Sequence, residues 1–387
     1  MVMRNLITDV PGVLVGNAED ARLATGVTVA LFEEPAVASI AILGGAPGSR
    51  DTALLEPEMT VERVDAIVLS GGSAFGLDTA GGVMRALAAK GRGFAKGPVR
   101  VPIVPQAILY DLANGGDKPF ATGNANEDPP YRRLGAAAIA AAAESFALGT
   151  SGAGYGATTV NLKGGLGSAS TVTRSGHTIG ALVAVNSAGS VTIGDGPHFW
   201  AAPYERDGEF GGIGWPSAIS AAALAVHYKA GPGMNTTLAV VATDAVLTKA
   251  EAKRLALSAH DGLARAMRPA HTPLDGDAVF AAATGRRPLV GNRVFSLTDL
   301  CVAAADCLTR GRARRLCGEN AGFRRCNAIV AGPVRSPFRH LKMGDGQNRH
   351  FCRLSADCVR ISLPGKPLCS IVTAVTRPQV WGSRDVG

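Results

Sequence analysis

The chain has 387 residues, of which 47% are hydrophobic and 18% charged, a composition typical of a globular protein with a large core. Its longest nearly uninterrupted apolar runs, 136–143 and 218–225, are much shorter than the about 20 residues that a transmembrane helix needs, which excludes a membrane-spanning protein. The net charge is +8, but residues 310–387 alone carry +11 and residues 1–309 carry −3, so the excess is a property of the C-terminal end and argues against a nucleic-acid partner.

Strand-like and helix-like segments alternate through residues 1–309. The predicted strands are 26–32, 38–43, 66–70, 99–104, 181–185 and 238–243, several of them apolar throughout, as in strands covered on both faces. The predicted helices are 76–90, 134–146, 217–228 and 249–267. The last helix opens with a capping box, Thr248 to Glu251. This alternation indicates an α/β protein with helices outside and one or two sheets inside.

The C-terminal end differs from the rest in composition. All seven cysteines lie in the last 87 residues without a Cys-x-x-Cys pair, so the spacing of a zinc finger or ribbon is missing. Periodic patterns fade after about residue 316. Residues 317–387 are therefore predicted to be a basic, Cys-rich tail of unassigned fold, disordered or the product of a shifted reading frame. The N-terminus lacks the apolar core of a secretory signal, which predicts a cytoplasmic protein.

Familiar catalytic signatures are mostly missing. The sequence has no His-Glu-x-x-His motif and no Walker loop. Gly152-x-Gly154-x-x-Ala157 is a partial dinucleotide fingerprint, but an alanine-rich segment precedes it instead of a strand. We therefore expect neither a metal nor a cofactor. Ser151 lies in a loose variant of the nucleophile elbow, which leaves a serine esterase or amidase as an alternative. A non-catalytic small-molecule binding protein is a second alternative.

The most informative stretch is a Gly-Pro-Gly-Met-Asn loop, 231–235, followed at once by Thr236 and an apolar strand. An N-terminal nucleophile would lie at such a position. If the bond after Asn235 is cut, Thr236 gains an α-amine with a pKa of about 7.7 to 8.0, able to accept the proton of its own hydroxyl. On the residues alone, the spacing favours the other interpretation, in which Thr236 is an ordinary β-branched residue that opens a strand.

Six blocks of residues 5–309 resemble, in order, one family of self-cleaving hydrolases. They are ITDVPGVLVG at 7–16, SGGSAFGLD at 70–78, VPIVPQAILYD at 101–111, GAGYG at 152–156, NTTLAVVATD at 235–244 and HTPLDGDAVF at 271–280. The family contains the L-aminopeptidase/D-Ala-esterase/amidases, the β-peptidyl aminopeptidases and the nylon-oligomer (6-aminohexanoate oligomer) endohydrolases. The Asn-Thr pair is more similar to the nylon-oligomer hydrolases than to the aminopeptidases that use Gly-Ser.

The resemblance implies a fold, an activity and an assembly. The fold would be α/β (α+β), a four-layer αββα sandwich of the self-processing N-terminal nucleophile type, forming one catalytic domain over residues 1–316. Self-cleavage would divide this domain into fragments 1–235 and 236–316, which stay together and assemble into oligomers, commonly tetramers. The substrate would be a small peptide or amide, cleaved by an aminopeptidase or amidase reaction.

The resemblance also implies roles for individual residues. Thr236 would be the nucleophile and Asn235 the residue before the cut. Tyr110 matches a family tyrosine whose phenol could donate to the substrate or the oxyanion, although a tyrosine with its ring in the core is an equal alternative. Asn186 matches an asparagine that could stabilise an oxyanion. Without the resemblance, residues 186–189 would be interpreted as a turn.

A pair of carboxylates and a lysine complete the implied site. Asp275 and Asp277 match two acidic residues behind the nucleophile, although Asp-Gly-Asp is also a common solvated turn. Other members carry a lysine where Asn161 stands here, and the nearest lysine is Lys163. Either Lys163 takes over that role or the role is lost.

Overall fold

The computed structural model describes residues 3–123, 126–229 and 235–317, all within the unit Met1–Pro333. The predicted loop at 231–234 and the tail beyond residue 317, including the unit Val334–Gly387, lie outside the described residues. The part of the chain that is described contains no helix long and apolar enough to span a membrane.

Eleven strands and four longer helices make up the described structure. The strands are β1 Val13–Asp20, β2 Thr25–Ile42, β3 Ser49–Arg50, β4 Arg63–Ser70, β5 Phe94–Lys96, β6 Val99–Val101, β7 Gln106–Ile108, β8 Gly165–Val172, β9 Thr178–Asn186, β10 Thr236–Ala245 and β11 Ala278–Arg287. The α-helices are α1 Thr79–Ala89, α2 Tyr131–Ala140, α3 Lys249–Ala266 and α4 Arg293–Cys317. Short 3-10 turns connect them.

Nine of these strands form one hydrogen-bonded sheet in the order β3-β7-β4-β2-β11-β10-β9-β8, with β1 paired to β2. Strand β2 joins two halves of this sheet, one that contains β4 and one that contains β10. Its N-terminal part pairs with β1 and β4, and its C-terminal part pairs with β11. The register with β4 shifts between Leu31 and Ala36, a stretch that contains Pro35, which cannot donate to the ladder. The sheet can therefore change direction within one strand.

Three apolar clusters define four layers. One cluster lies between the two halves of the sheet and includes Phe32 from one half and Phe280 from the other. A second joins α1 and α2 to the half that contains β4. The third joins α3 and α4 to the half that contains β10. The order helix, sheet, sheet, helix confirms the predicted αββα sandwich.

Helix α3 forms as the sequence predicts. The Thr248 hydroxyl accepts from the Glu251 N–H, and the Glu251 carboxylate accepts from the Thr248 N–H at 2.8 Å, which closes the capping box. The predicted apolar stripe, which includes Leu255 and Leu263, is buried. Periodicity and cap agree here, so the local sequence determines this element.

Several other predictions need correction. The alanine-rich segment 217–228 forms only a single 3-10 turn, Ala222–Leu224, because its side chains are mostly exposed and no core stabilises a longer helix. The predicted strands 26–32 and 38–43 are one strand, β2. The strand predicted at 99–104 is a short exposed hairpin arm, β6. Strands β1, β8 and β11 and helix α4 were not predicted.

Helix α4 is described as far as Cys317, and the predicted tail lies beyond the described residues apart from this one. Arg310 of α4 forms a buried bidentate ion pair with Glu209, with N–O distances of 2.6 and 3.0 Å, and its Nη1 donates to the Ser170 carbonyl. The side chains of Arg310 and Glu209 are 4% and 8% exposed. The C-terminal helix is thus joined to the domain by a charged contact from which water is excluded.

We expect Arg310→Met to destabilise the protein by about 3 to 5 kcal/mol, because it leaves the Glu209 carboxylate buried without its partner. The measurement is urea unfolding followed by circular dichroism.

The matched control is Arg293→Met in the same helix. Arg293 pairs with Glu251 in a similar bidentate geometry, but its side chain is 51% exposed, so the expected loss is about 1 kcal/mol or less. Equal losses in both variants would show that burial does not determine the strength of the Arg310 contact.

Candidate active site

Thr236 is the first residue of β10, at one end of the sheet. It pairs directly with Asn186, the last residue of the antiparallel neighbour β9. Asn235, which precedes it, forms an isolated parallel bridge with Asp275 just before β11. All four residues are 4% exposed or less. The peptide bond between Asn235 and Thr236 is therefore buried and held by backbone pairing on both sides.

The Asn235 carbonyl oxygen accepts two hydrogen bonds. The Thr236 Oγ1 donates to it at 2.5 Å, and the Gly276 N–H donates to it at 2.9 Å. A Cβ added to Gly276 would lie 2.7 Å from Thr236 Oγ1, so only a glycine leaves room for the hydroxyl. Among the described residues, neither polar atom of the buried Asn235 side chain has a hydrogen-bond partner.

The two predicted acidic residues lie beside this bond, and each has a defined set of partners. Asp275 accepts from the Ala188 N–H at 3.0 Å through Oδ1 and from the Thr272 hydroxyl at 2.7 Å through Oδ2. Burial raises the pKa of Asp275, and the nearby charge of Asp277 raises it further. The alternative of a solvated turn does not apply, since both side chains are buried.

Asp277 connects the strand that begins with Thr236 to a pair of histidines. Its Oδ1 accepts from the Thr237 N–H at 2.7 Å, and its Oδ2 accepts from the His271 backbone N–H at 3.1 Å and lies 3.0 Å from His271 Nδ1. The His271 ring packs edge-on against His260, with 4.8 Å between centroids. His260 Nε2 lies 2.9 Å from the Ala41 carbonyl oxygen, so it carries the proton of the neutral ring.

Asn186 lies at the centre of a second polar group. Its Nδ2 donates to the main-chain carbonyl of Tyr110 at 2.9 Å. Its Oδ1 accepts from Asn114 Nδ2 at 3.1 Å, from the Thr158 N–H at 3.0 Å and from Lys229 Nζ at 2.9 Å. Tyr110 is therefore linked to this group through its main-chain carbonyl, which accepts the hydrogen bond, whereas the sequence pointed to its phenol.

Two lysines lie near the site in different settings. Lys163, the predicted one, donates from Nζ to the Tyr155 carbonyl at 2.9 Å. Lys229, which donates to Asn186, was not singled out from the sequence. Burial lowers the pKa of Lys229 to about 8, and the negative charges of Asp111 and Asp275 oppose this shift. The sequence offered no signal for Lys229, which follows a predicted helix. Gly276 and His271 were not singled out either, but both lie inside the family block at 271–280.

The alternative nucleophile belongs to another cluster. Ser151 donates from Oγ to Glu19 at 2.5 Å and accepts from Asn17 Nδ2 at 3.1 Å, both on β1. These partners include one carboxylate, and none of them belongs to the group of residues around Thr236.

Comparison with solved structures identifies the class of fold. The structure matches a β-aminopeptidase from Burkholderia sp. with a TM-score of 0.59 at 24% identity, covering 84% of this chain and 93% of that chain. It also matches an L-aminopeptidase D-Ala-esterase/amidase from Ochrobactrum anthropi, described as a variant of the Ntn hydrolase fold, with a TM-score of 0.57 at 21% identity over 84% of this chain and 93% of that chain. The αββα sandwich is thus an Ntn-hydrolase fold.

Comparison of sequences identifies the family. Residues 5–319 match the model of peptidase family S58, so the chain belongs to that family and is a hydrolase of peptide or amide bonds. An uncharacterized aminopeptidase of Mycobacterium tuberculosis is 43% identical over 327 residues, covering 79% of this chain and 92% of the relative. A 6-aminohexanoate-oligomer endohydrolase of Kocuria sp. is 27% identical over 286 residues, covering 71% of this chain and 74% of the relative. The family resemblance noted in the sequence is confirmed.

The buried histidine beside the site predicts a loss of stability in acid. Burial lowers the pKa of His260 to about 4, below the about 6.5 of a histidine in an unfolded chain. Between these values the unfolded chain binds the extra proton, so the free energy of unfolding falls as the pH falls. We expect His260 to account for a loss of about 2 kcal/mol from pH 7 to pH 5, measured by urea unfolding.

His260→Gln should flatten this dependence, since glutamine can still donate to the Ala41 carbonyl but does not titrate. The same change at the exposed His227 is the control and should leave the slope as in the parent. An unchanged slope in His260→Gln would contradict the assignment.

Proposed function

We propose that the protein is an amide hydrolase that activates itself by cutting the bond between Asn235 and Thr236. One observation carries the proposal: the Thr236 hydroxyl lies against the carbonyl of the preceding residue, and the same carbonyl oxygen accepts the Gly276 N–H. Nucleophile and a donor for the developing negative charge are therefore assembled before any substrate arrives.

The chemistry would be an N-to-O acyl shift followed by hydrolysis. Thr236 Oγ adds to the Asn235 carbonyl carbon and loses its proton, and the resulting oxyanion stays on the Gly276 N–H. The Thr236 nitrogen takes up a proton and leaves, so the amide becomes an ester. Water then cleaves the ester, which gives a carboxylate on Asn235 and a free α-amine and hydroxyl on Thr236.

The two carboxylates support both stages. Asp275 has a raised pKa and adjoins the bridge to Asn235, so it is suited to hold or release a proton there. Asp277 holds the Thr237 N–H, the next backbone group after the nucleophile, and this contact does not depend on the scissile bond. A negative charge at that position would also stabilise the new ammonium of Thr236.

In the mature enzyme, Thr236 would attack the substrate carbonyl with its own α-amine as the base, at a pKa of about 7.7 to 8.0. Asn186, its cross-strand partner, would donate to the oxyanion. The roles of Tyr110 and Lys163 in catalysis stay predictions, in which both side chains would face the substrate. Assembly into a tetramer and a cytoplasmic location also stay predictions.

The substrate would be a small peptide or amide. Relatives carry the names aminopeptidase and 6-aminohexanoate-oligomer endohydrolase, and both names describe hydrolysis of amide bonds. A cleft of about 260 Å³ is lined by Asn161, Ser190 and Tyr228, chain neighbours of the site residues. A space of this size admits a short extended segment, as a small peptide or amide would present.

Self-cleavage predicts a defined new N-terminus. Purified protein, incubated and separated by denaturing electrophoresis, should yield a fragment whose N-terminal sequence starts Thr-Thr-Leu-Ala at Thr236. Thr236→Ala should remain one intact chain because it lacks the attacking oxygen. Thr237→Ser, which keeps the neighbouring hydroxyl and the N–H to Asp277, is the control and should still be cut.

A second variant tests the geometry while the nucleophile is kept. Gly276→Ala should slow cleavage strongly, because the added methyl would meet Thr236 Oγ1 at 2.7 Å. An uncut parent chain, or a cut Thr236→Ala, would overturn the proposal.

Processed protein should hydrolyse at least one member of a panel of aminoacyl p-nitroanilides, D-Ala amide, β-Ala amides and 6-aminohexanoate oligomers. Thr236→Ala should be inactive on that substrate, and Ser151→Ala should retain its rate. The reverse pattern would favour the serine hydrolase, and no turnover by fully processed protein would favour a binding protein.

A further inference from the structure

Lys229 lies at the acceptor end of the Asn186 amide, and neither the family resemblance nor the proposed reaction assigns it a role. Its Nζ is 2.9 Å from Asn186 Oδ1 and 3.4 Å from the Thr158 carbonyl oxygen. Its backbone N–H donates to the Ala188 carbonyl at 3.3 Å, so main chain and side chain both contact the end of β9.

We infer that Lys229 is a positioning residue that orients and polarises the Asn186 amide toward the oxyanion. The inference rests on the proposed function, because it concerns the donor that Asn186 would supply to the Thr236 reaction. Three observations carry it: the contacts around the amide, its place opposite the nucleophile, and the charges around the lysine.

The contacts determine which way the Asn186 amide points. Three donors surround Oδ1, from Asn114, Thr158 and Lys229, so an NH2 group cannot occupy that side. The NH2 group must lie on the other side, where one of its hydrogens bonds the Tyr110 carbonyl. The amide is thereby fixed as a donor in one direction.

That direction matters because Asn186 and Thr236 are direct partners in the antiparallel ladder. Side chains of such a pair lie on the same face of the sheet, with Cβ atoms about 4.5 to 5.5 Å apart. A short amide on β9 is therefore within reach of a tetrahedral centre formed on Thr236 of β10.

The charge of Lys229 strengthens this donor. A cation that hydrogen-bonds to an amide oxygen draws electron density from the nitrogen, so the amide N–H becomes a stronger donor. The negative charges of Asp111 and Asp275 oppose the effect of burial on Lys229 and favour its protonated form. In a buried site this polarisation is screened less than it would be in water.

Lys229 is also distinct from Lys163 in its contacts and its place in the chain. Lys163 donates to the Tyr155 carbonyl, whereas Lys229 donates to the candidate oxyanion donor itself. Lys229 lies seven residues before Thr236, on the fragment that ends at the cut. Its described contacts are with Asn186, Thr158 and Ala188, none of which requires the bond to be intact.

The test compares Lys229→Met, which removes the charge, with Lys229→Arg, which restores it. For Lys229→Met we expect slower self-cleavage and, once processed, a kcat about 10- to 100-fold lower with KM within about 3-fold of the parent. Lys229→Arg should recover most of both rates. The substrate is whichever panel member the parent turns over.

The matched control is Lys253→Met, another half-buried lysine, whose Nζ contacts the Ile40 carbonyl and Glu56. It should leave kcat and KM as in the parent. If Lys229→Met fails to fold, Lys229→Gln keeps a neutral donor to Asn186 and should still show the loss of kcat.

The outcomes separate this inference from the proposed function. A parent that cuts itself and hydrolyses substrate, with Lys229→Met or Lys229→Gln matching its kcat, overturns the role of Lys229 alone. A loss that Lys229→Arg does not recover, or one confined to KM, also overturns it. A parent that never cuts itself overturns the proposed function and this inference with it.

Discussion

The carbonyl of Asn235 is held between two neighbouring strands, and the candidate site is built around this one constraint. Antiparallel β9 pairs with Thr236 on one side, and the segment leading into parallel β11 bridges Asn235 on the other. A peptide bond in this setting cannot rotate away from the Gly276 N–H or from the hydroxyl that follows it. Backbone pairing fixes these atoms more narrowly than a loop could, so most of the entropy of bringing the reacting groups together is lost during folding.

Burial of this bond brings several polar groups into the interior, and each main member of the network is compensated. Asp277 receives two backbone N–H groups and faces a His271 nitrogen, while Asp275 receives an N–H and a hydroxyl. Such networks stabilise only when they are satisfied, because an unpaired buried charge is far less stable than one in water. Among the described residues, the side-chain amide of Asn235 has no hydrogen-bond partner, and neither does Nε2 of His271. Asn235 is the residue whose bond would be cut. Breaking that bond would free this residue to leave an unfavourable environment.

Fold and substrate preference are separate questions for this protein. The solved neighbours share its fold at 21% and 24% identity, and relatives with two different named activities match 79% and 71% of the chain. A shared scaffold of this kind supports different amide substrates, because specificity lies in the loops and clefts around the nucleophile.

The sequence by itself determined helix α3, the apolar centres of β4, β9 and β10, and the order of the family blocks, because these depend on local periodicity and short contiguous motifs. Through the family resemblance it also pointed to Thr236, Asn186, Asp275 and Asp277, which the tertiary structure brings to one end of the sheet. Only the tertiary structure decided that β8, rich in glycine and serine, is a strand, since its pairing with β9 and its contact with Arg310 of α4 come from distant residues. Likewise, only the structure joined Lys229 to Asn186 across 43 positions and gave Tyr110 a backbone contact. Such contacts are non-local, and no pattern along the chain encodes which distant side chain will meet a buried amide.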